Sequence, residues 1–235
     1  MSKKTNKLKV YAMADMHGHL DRYVPRSDAD VVIIAGDFAP AEKKCEDELE
    51  SHRKVLAWFN SEFRYWCGMW GCPERPADVI IVPGNHDRFL HYFFGQVKLA
   101  DNARFLVDSE ADIRGLRIFG TPWCKSASLS KKIKSQIFET SDGVLEMLFA
   151  SIPDNGFDIL ISHMPPYSEG DAGFDGSKCS KVLSERLAKM KRPPKFVLCG
   201  HVHNERNQEP ATVVLGNGVK VVNVSRSVCS VELRA

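Results

Sequence analysis

The chain has 235 residues, 43% of them hydrophobic, with 32 basic and 30 acidic side chains and a net charge of +2. This length suits one α/β domain with a substantial core, and the composition is ordinary for a globular protein. The balanced charge argues against a dedicated nucleic-acid binder with a basic face, and no apolar run reaches the roughly 18–20 residues that span a bilayer.

The segment Met1 to Lys7 carries charge but no apolar stretch of a secretory signal. The expectation is a cytoplasmic protein with a single domain over residues 1–235. Seven cysteines in irregular spacing read as reduced thiols, with a Cys67–Cys72 disulfide as the alternative.

Leu8 to Ala14 predicts the first buried strand and Val31 to Ala35 the second, both short and apolar. Ala41 to Asn60 predicts a helix, charged early and apolar late, with Leu49, Val55, Leu56, Trp58 and Phe59 available for one face. Phe63 to Pro76 is less regular and reads as a surface loop anchored by Trp66 and Trp70; the sharper alternative is a rim of the active site. Val79 to Val82 is the third strand. The aromatics between Phe63 and Trp70 and between His91 and Phe94 either pack internally or form an interface, so oligomeric state stays open. Leu116 to Phe119 is a strand, and Ser130 to Thr140 and Gly143 to Ser151 are predicted helices. Strands follow at Phe157 to Ile161 and Phe196 to Cys199, with a helix over Ser180 to Met190 between them, N-capped by Ser180. A hairpin closes the series: Thr212 to Leu215, the turn Gly216-Asn217-Gly218, and Val219 to Val224. Strands alternating with helices give an α/β fold, and the hairpin makes its sheets mixed.

The strands end in informative residues. The first runs into Asp15-Met16-His17-Gly18 and the second into Gly36-Asp37. The third runs through Pro83 into Gly84-Asn85-His86-Asp87. The later ones run into Ser162-His163 and Gly200-His201-Val202-His203. Ligands of open α/β sheets bind outside the carboxyl ends of the strands, so these groups would surround one crevice. Carboxylate, imidazole and amide oxygen suit divalent manganese, iron, cobalt, nickel or zinc. A central carboxylate such as Asp37 can serve two ions at once. Two ions about 3.5–4 Å apart polarise a phosphoryl group and hold a hydroxide that attacks phosphorus. His86 is then the natural group to donate to a phosphoryl oxygen or to protonate the leaving group, with Asp87 orienting or charging it. Gly18, Gly36, Gly84 and Gly200 read as giving these turns backbone freedom. His19, His52 and His91 fit no ligand slot and read as surface or structural.

The ordered blocks Asp-x-His, Gly-Asp, Gly-Asn-His-Asp, His and Gly-His-x-His resemble the calcineurin-like metallophosphoesterase superfamily. The resemblance implies Asp15, His17 and His203 on one metal, Asn85, His163 and His201 on a second, Asp37 bridging them, and His86 as the catalytic histidine. It also implies a four-layer α-β-β-α fold of two mixed sheets. Gly120-Thr121-Pro122-Trp123 and His163-Met164-Pro165-Pro166 are similar to segments of the small brain-type, phage and bacterial phosphodiesterases. Tyr167 to Lys178 follows as a loop. The expected cofactors are two divalent ions, manganese first. The expected substrate is a phosphomonoester or phosphodiester, a small molecule or nucleotide rather than a phosphoprotein, with no membrane partner. A non-catalytic metal-binding scaffold is the alternative of a different class, and the presence of His86 argues for the enzyme.

Overall fold

The computed structural model describes residues 7–41, 47–126, 137–168, 174–203 and 209–234. In chain order the strands are β1 (Lys7–Met13), β2 (Val31–Ala35), β3 (Gly71–Cys72), β4 (Arg75–Pro76), β5 (Asp78–Val82), β6 (Ala103–Phe105), β7 (Ser109–Ile113) and β8 (Leu116–Thr121). They continue with β9 (Cys124–Lys125), β10 (Glu139–Thr140), β11 (Ile159–Ser162), β12 (Phe196–Cys199), β13 (Ala211–Val214), β14 (Lys220–Asn223) and β15 (Val228–Arg234). The α-helices are α1 (Glu48–Trp58), α2 (Arg64–Gly68), α3 (Phe89–Phe93), α4 (Asp142–Ala150) and α5 (Lys181–Lys189).

Two large sheets form, in the orders β15-β1-β2-β5-β6 and β13-β14-β12-β11-β8-β7. Their inner strands run parallel. Within these two sheets, antiparallel pairing among the described residues is confined to β15 on β1, β13 on β14 and β7 on β8. The predicted terminal hairpin is β13–β14, and its turn closes where Gly218 takes φ +86°.

The layering follows from strand periodicity. Successive side chains of a strand face opposite ways, so a strand apolar at every position needs an apolar partner on both faces. In β2, Val31, Ile33 and Ala35 enter the layer between the sheets, while Val32 and Ile34 face outward. In β11, Ile159 and Ile161 face the other sheet and Leu160 faces outward. Outside the first sheet lie α1, α2 and α3, contributing Val55, Trp66, Phe89 and Leu90. Outside the second lie α4 and α5, contributing Leu145, Phe149, Leu183 and Leu187. The result is the expected four-layer α-β-β-α sandwich.

Several local expectations need correction. Phe63 to Pro76 is neither a surface loop nor a rim of the site. A π-helical turn over Phe59–Phe63 carries α1 directly into α2, and the short pair β3–β4 follows. Phe59, Phe63, Trp66 and Trp70 recur at helical spacing and are all buried on the outer face of the first sheet. Trp66 Nε1 donates to the Tyr23 carbonyl at 2.8 Å. The aromatics therefore pack internally, leaving Tyr65, Tyr92 and Phe94 exposed. Cys67 and Cys72 are both free thiols, so the alternative disulfide is not formed.

The described part of the first predicted helix starts at Glu48, where the Asp47 side chain caps Glu50 N–H; residues 42–46 lie outside the described residues. Of the helix predicted over Ser130 to Thr140, residues 130–136 lie outside the described residues too, and Glu139–Thr140 forms β10 beside β9. Ser180 caps α5 as predicted, accepting from Leu183 N–H. Among the described residues no helix is long and apolar enough to cross a membrane.

Candidate metal centre

The parallel strands β1, β2, β5, β11 and β12 all deliver their carboxyl ends to one edge of the sandwich, and the loops there are tied to one another across the two sheets. Asp15 N–H donates to Gly36 O and His17 N–H to Asp37 O, each at 3.0 Å, which locks the β1 loop onto the β2 loop. Gly200 N–H donates to His163 O at 3.0 Å, locking β12 to β11. His163 Nδ1 lies 2.7 Å from the Ala35 carbonyl and joins the sheets. A carbonyl only accepts, so Nδ1 carries a proton, and in the neutral ring Nε2 presents a lone pair.

That lone pair points at other lone pairs. His163 Nε2 lies 3.1 Å from Asn85 Oδ1 and 3.2 Å from Asp37 Oδ2. Asn85 Oδ1 is also 3.2 Å from His201 Nδ1. Asp15, His17 and His203 converge as a second group, with Asp15 Oδ1 3.1 Å from His203 Nε2. The ligand atoms of Asp15, Asp37 and His163 lie within 4.8 Å of one another and link the two groups. All seven sequence-selected ligand residues therefore meet in one cluster.

The two carboxylates are held alike. One oxygen of each is fixed by a backbone N–H: Asp15 Oδ2 by His201 at 2.9 Å, and Asp37 Oδ1 by His86 at 2.8 Å. The other oxygen faces an imidazole. Such fixed hydrogen bonds orient ligands before any ion arrives.

The electrostatics of the cluster suit a cation. Burial alone would lower the pKa of His163, but the adjoining Asp37 carboxylate outweighs it and raises it to about 10. A proton there is the smallest cation that can satisfy the converging lone pairs. Burial and then the neighbouring His163 push His201 down to about 4, leaving it neutral and ready to ligate. Burial also lowers His17. Burial acts to raise Asp15 and Asp37, yet the surrounding imidazoles hold both below the usual carboxylate range. A donor set of two carboxylates, four imidazoles and one amide oxygen fits divalent first-row ions.

Four of these residues, Asp15, His17, Asp37 and His201, have positive φ, at 54°, 45°, 54° and 66°. Such values are uncommon for side-chain-bearing residues and cluster at functional sites. The glycines divide the work differently from the expectation. Gly36 has φ +93° and needs the freedom. Gly84 and Gly200 do not have positive φ, and their reason is space: a Cβ at Gly84 would sit 2.2 Å from Asp37 Oδ1, and one at Gly200 2.5 Å from Asp15 Oδ2.

Asp87 does not orient His86. It is fully buried and accepts the N–H groups of Asp37, Ala39 and Gly84 at 3.0, 2.9 and 2.7 Å, so it ties the β5 turn to the β2 loop. Burial, then the nearby Asp37 charge, push its pKa up to about 8. His86 is exposed beside the cluster, with its ring centroid 5.6 Å from that of His17.

Three groups near the centre were missed by sequence reasoning. Glu139, on β10, accepts Asn85 Nδ2 at 2.9 Å and so turns the amide oxygen toward His163 and His201. Cys124, on β9, is fully buried, and its thiol lies within 4.8 Å of the ligand nitrogens of His163 and His201. The segment Gly120 to Trp123 explains their placement, because Thr121 Oγ1 and Trp123 Nε1 both donate to Asp108, at 2.8 and 2.6 Å. His19, read as surface or structural, lines a cleft of about 490 Å³ together with Asp15, His17, Arg22, Tyr23, His86 and Arg226. His52 is buried in α1 against Tyr92, as a structural histidine.

Comparison with known proteins agrees with this geometry. Residues 8–205 match the model of a family described as calcineurin-like phosphoesterase. The chain is 24% identical to the UPF0046 protein C25E10.12 of Caenorhabditis elegans, over 98% of this chain and 78% of that protein. It is 29% identical to the UPF0046 protein T07D4.2 of the same organism, over 74% of this chain and 46% of that protein. It is 27% identical to metallophosphoesterase domain-containing protein 1 of Homo sapiens, over 94% of this chain and 66% of the human protein. The crystal structure of TT1561 of Thermus thermophilus shares the fold, with TM-score 0.62 at 14% identity over 97% of this chain and 100% of that one.

Proposed function

The chain belongs to the calcineurin-like phosphoesterase family, and we propose that it hydrolyses a small phosphomonoester or phosphodiester, nucleotides included, at a centre for two divalent cations. The observation that carries this reading is the meeting of Asn85 Oδ1, His163 Nε2 and Asp37 Oδ2 within 3.1–3.2 Å contacts that lack a proton to share in the neutral tautomer. Asp15, His17 and His203 would hold one ion; Asn85, His163 and His201 would hold the other; Asp37 would serve both. Two such ions, when bound, polarise a phosphoryl group and make water a nucleophile near neutral pH.

The chain's own residues do the rest. His86 stands at the mouth of the cluster with its side chain exposed, where it donates a proton to a phosphoryl or leaving-group oxygen. Its position is fixed by its own N–H on Asp37 Oδ1 and by the Asp87 carboxylate that pins the turn. Glu139 keeps the Asn85 amide from turning its NH₂ toward the centre. Manganese is the ion we expect in the cell, in a single cytoplasmic catalytic domain over residues 1–235.

The test is release of p-nitrophenol from mono- and bis-p-nitrophenyl phosphate with added manganese, beside metal analysis of the same sample. Turnover of either ester is expected. Two bound ions without turnover would instead point to a metal-binding scaffold. Asp37→Ala is expected to retain neither ion, and retention of two would remove Asp37 from the shared position.

A further inference from the structure

The cleft that opens from the centre holds more positive charge than phosphoryl chemistry at the cluster requires. Beyond Asp15, His17 and His86 it is lined by His19, Arg22 and Arg226. Two separate pieces of backbone place these groups. His19 and Arg22 flank one 3₁₀ turn, Leu20–Arg22, in which Arg22 N–H donates to His19 O at 3.2 Å. The turn brings both side chains to the wall of the same cleft. Arg226 follows the Ala14–Ser225 bridge and donates its N–H to Ala14 O at 3.0 Å, next to the ligand Asp15. It takes φ 54°, an uncommon conformation for an arginine.

Among the described residues, neither guanidinium has an ion-pair or side-chain hydrogen-bond partner of its own. Both nevertheless act on one buried group in the cleft wall. The Tyr23 phenol is pushed up to about 12 by burial and then by Asp15, while Arg22 and Arg226 oppose the rise. Two unpaired forks and an imidazole beside a phosphoryl site match a dianion with several acceptor oxygens.

We propose that His19, Arg22 and Arg226 form a second anion subsite, and that the physiological substrate carries a second phosphoryl group beside the one hydrolysed, as in a nucleoside diphosphate or a bisphosphate. This rests on the phosphoesterase reading for its chemistry, but the subsite itself is testable by binding alone. It also accounts for the basic residues of the cleft in a chain whose overall charge is nearly balanced.

The probe is α,β-methylene-ADP titrated into the metal-loaded full chain by calorimetry, with AMP as the comparison. The diphosphate analogue is expected to bind about 10-fold or more tightly, on the usual scale of charge-assisted hydrogen bonds. Arg22→Ala and Arg226→Ala are each expected to remove most of that difference. Alanine retains the Cβ, so the backbone strain at position 226 is unchanged. Arg226→Lys, which keeps the charge but not the fork, is expected to recover part of it, and it carries the test with Arg22→Ala should Arg226→Ala fold poorly. In turnover, each alanine variant is expected to raise KM for ADP while leaving kcat/KM for p-nitrophenyl phosphate within about 3-fold. Equal affinity for the two nucleotides, or a difference that survives both replacements, overturns the subsite. Failure of the wild-type chain to hydrolyse any phosphoester overturns the phosphoesterase reading and leaves the binding result to stand or fall separately.

Discussion

Gly84→Ala puts the least possible side chain, one methyl group, into the centre without replacing any proposed ligand. Gly84 does not have positive φ, so no left-handed backbone bars alanine there. The new Cβ, however, would lie 2.2 Å from Asp37 Oδ1, 2.5 Å from Asp37 N and 2.8 Å from His163 Nε2. None of the three gives way easily. Asp37 Oδ1 is held by His86 N–H, Asp37 N by the buried Asp87 carboxylate, and His163 by Ala35 O. Overpacking of this kind costs about 1–3 kcal/mol, which for a chain of this size lowers Tm by roughly 2–12 °C. The displaced Asp37 and His163 should weaken metal binding by about 10- to 100-fold, the range seen when ligand-orienting contacts are lost. The control is Gly143→Ala near the start of α4, where an added Cβ meets nothing within 4 Å. Helix propensity there favours alanine by up to about 1 kcal/mol, so Tm should hold or rise. Thermal melts in chelator, followed by competition of each variant against a fluorescent chelator for manganese, read both quantities. Wild-type melting and wild-type affinity in Gly84→Ala would refute the view that close approach, rather than backbone freedom, demands this glycine.

Glu139→Ala releases Asn85 Nδ2 and should weaken metal binding by about 10-fold or more; Glu139→Gln keeps an acceptor and should recover part of it, and equal affinities in all three proteins would clear Glu139 of that task. His86→Ala should keep its metal content and lose about 10²-fold or more in turnover, since a proton donor to the reacting phosphate is removed; unchanged turnover would take His86 out of the mechanism. In metal-free protein, the contribution of His201 to stability should fall as pH drops from 6.5 toward about 4, because the unfolded chain protonates an imidazole that buried His201 leaves neutral. That amounts to up to about 3 kcal/mol, with His17 acting in the same direction. Buried Asp87, pushed up to about 8, stays protonated in the fold and opposes this loss, so total stability does not report the sign; His163 stays protonated throughout. Denaturant melts in chelator of wild type and His201→Gln at three pH values isolate the imidazole: wild type should lose stability relative to the variant as pH falls, and a difference that stays constant or reverses contradicts it.

The proposed ligand residues were legible because each sits where an apolar strand stops, and strand ends are visible in a sequence as a change from Val and Ile to Gly, Asp and His. What the sequence concealed lay in residues whose role is set by a distant partner. Glu139 looks like the tail of a helix in its local context, and only pairing with Cys124–Lys125 carries it to Asn85. Asp87 follows His86 directly, yet its buried oxygens face backbone N–H groups from another loop. Trp66 and Trp70 lie among Gly, Cys and Pro, which masked the helical spacing that buries them. The strand β15 was missed although Val228–Arg234 alternates; Cys229, Val231 and Leu233 pack on the core between the sheets. An edge strand paired on one side only is a weak local signal.

The positive φ values at Asp15, His17, Asp37 and His201 bear on how the centre and the fold depend on each other. Each such residue costs about 1–2 kcal/mol, so together they hold back an amount comparable with the net stability of a whole domain, about 5–15 kcal/mol. Strain of that size persists only where the surroundings over-determine it. Here the surroundings are the hydrogen bonds that cross between loops: Asp15 N–H on Gly36 O, His17 N–H on Asp37 O, His201 N–H on Asp15 Oδ2 and the three N–H groups on Asp87. These bonds draw carboxylates and imidazoles together at a cost in desolvation, and a bound cation returns that cost as binding energy to the folded state alone. The proposed ligand motifs at the strand ends thus also hold four of the eight positive-φ side chains among the described residues, which ties the folding of this edge of the sandwich to the ions it would carry.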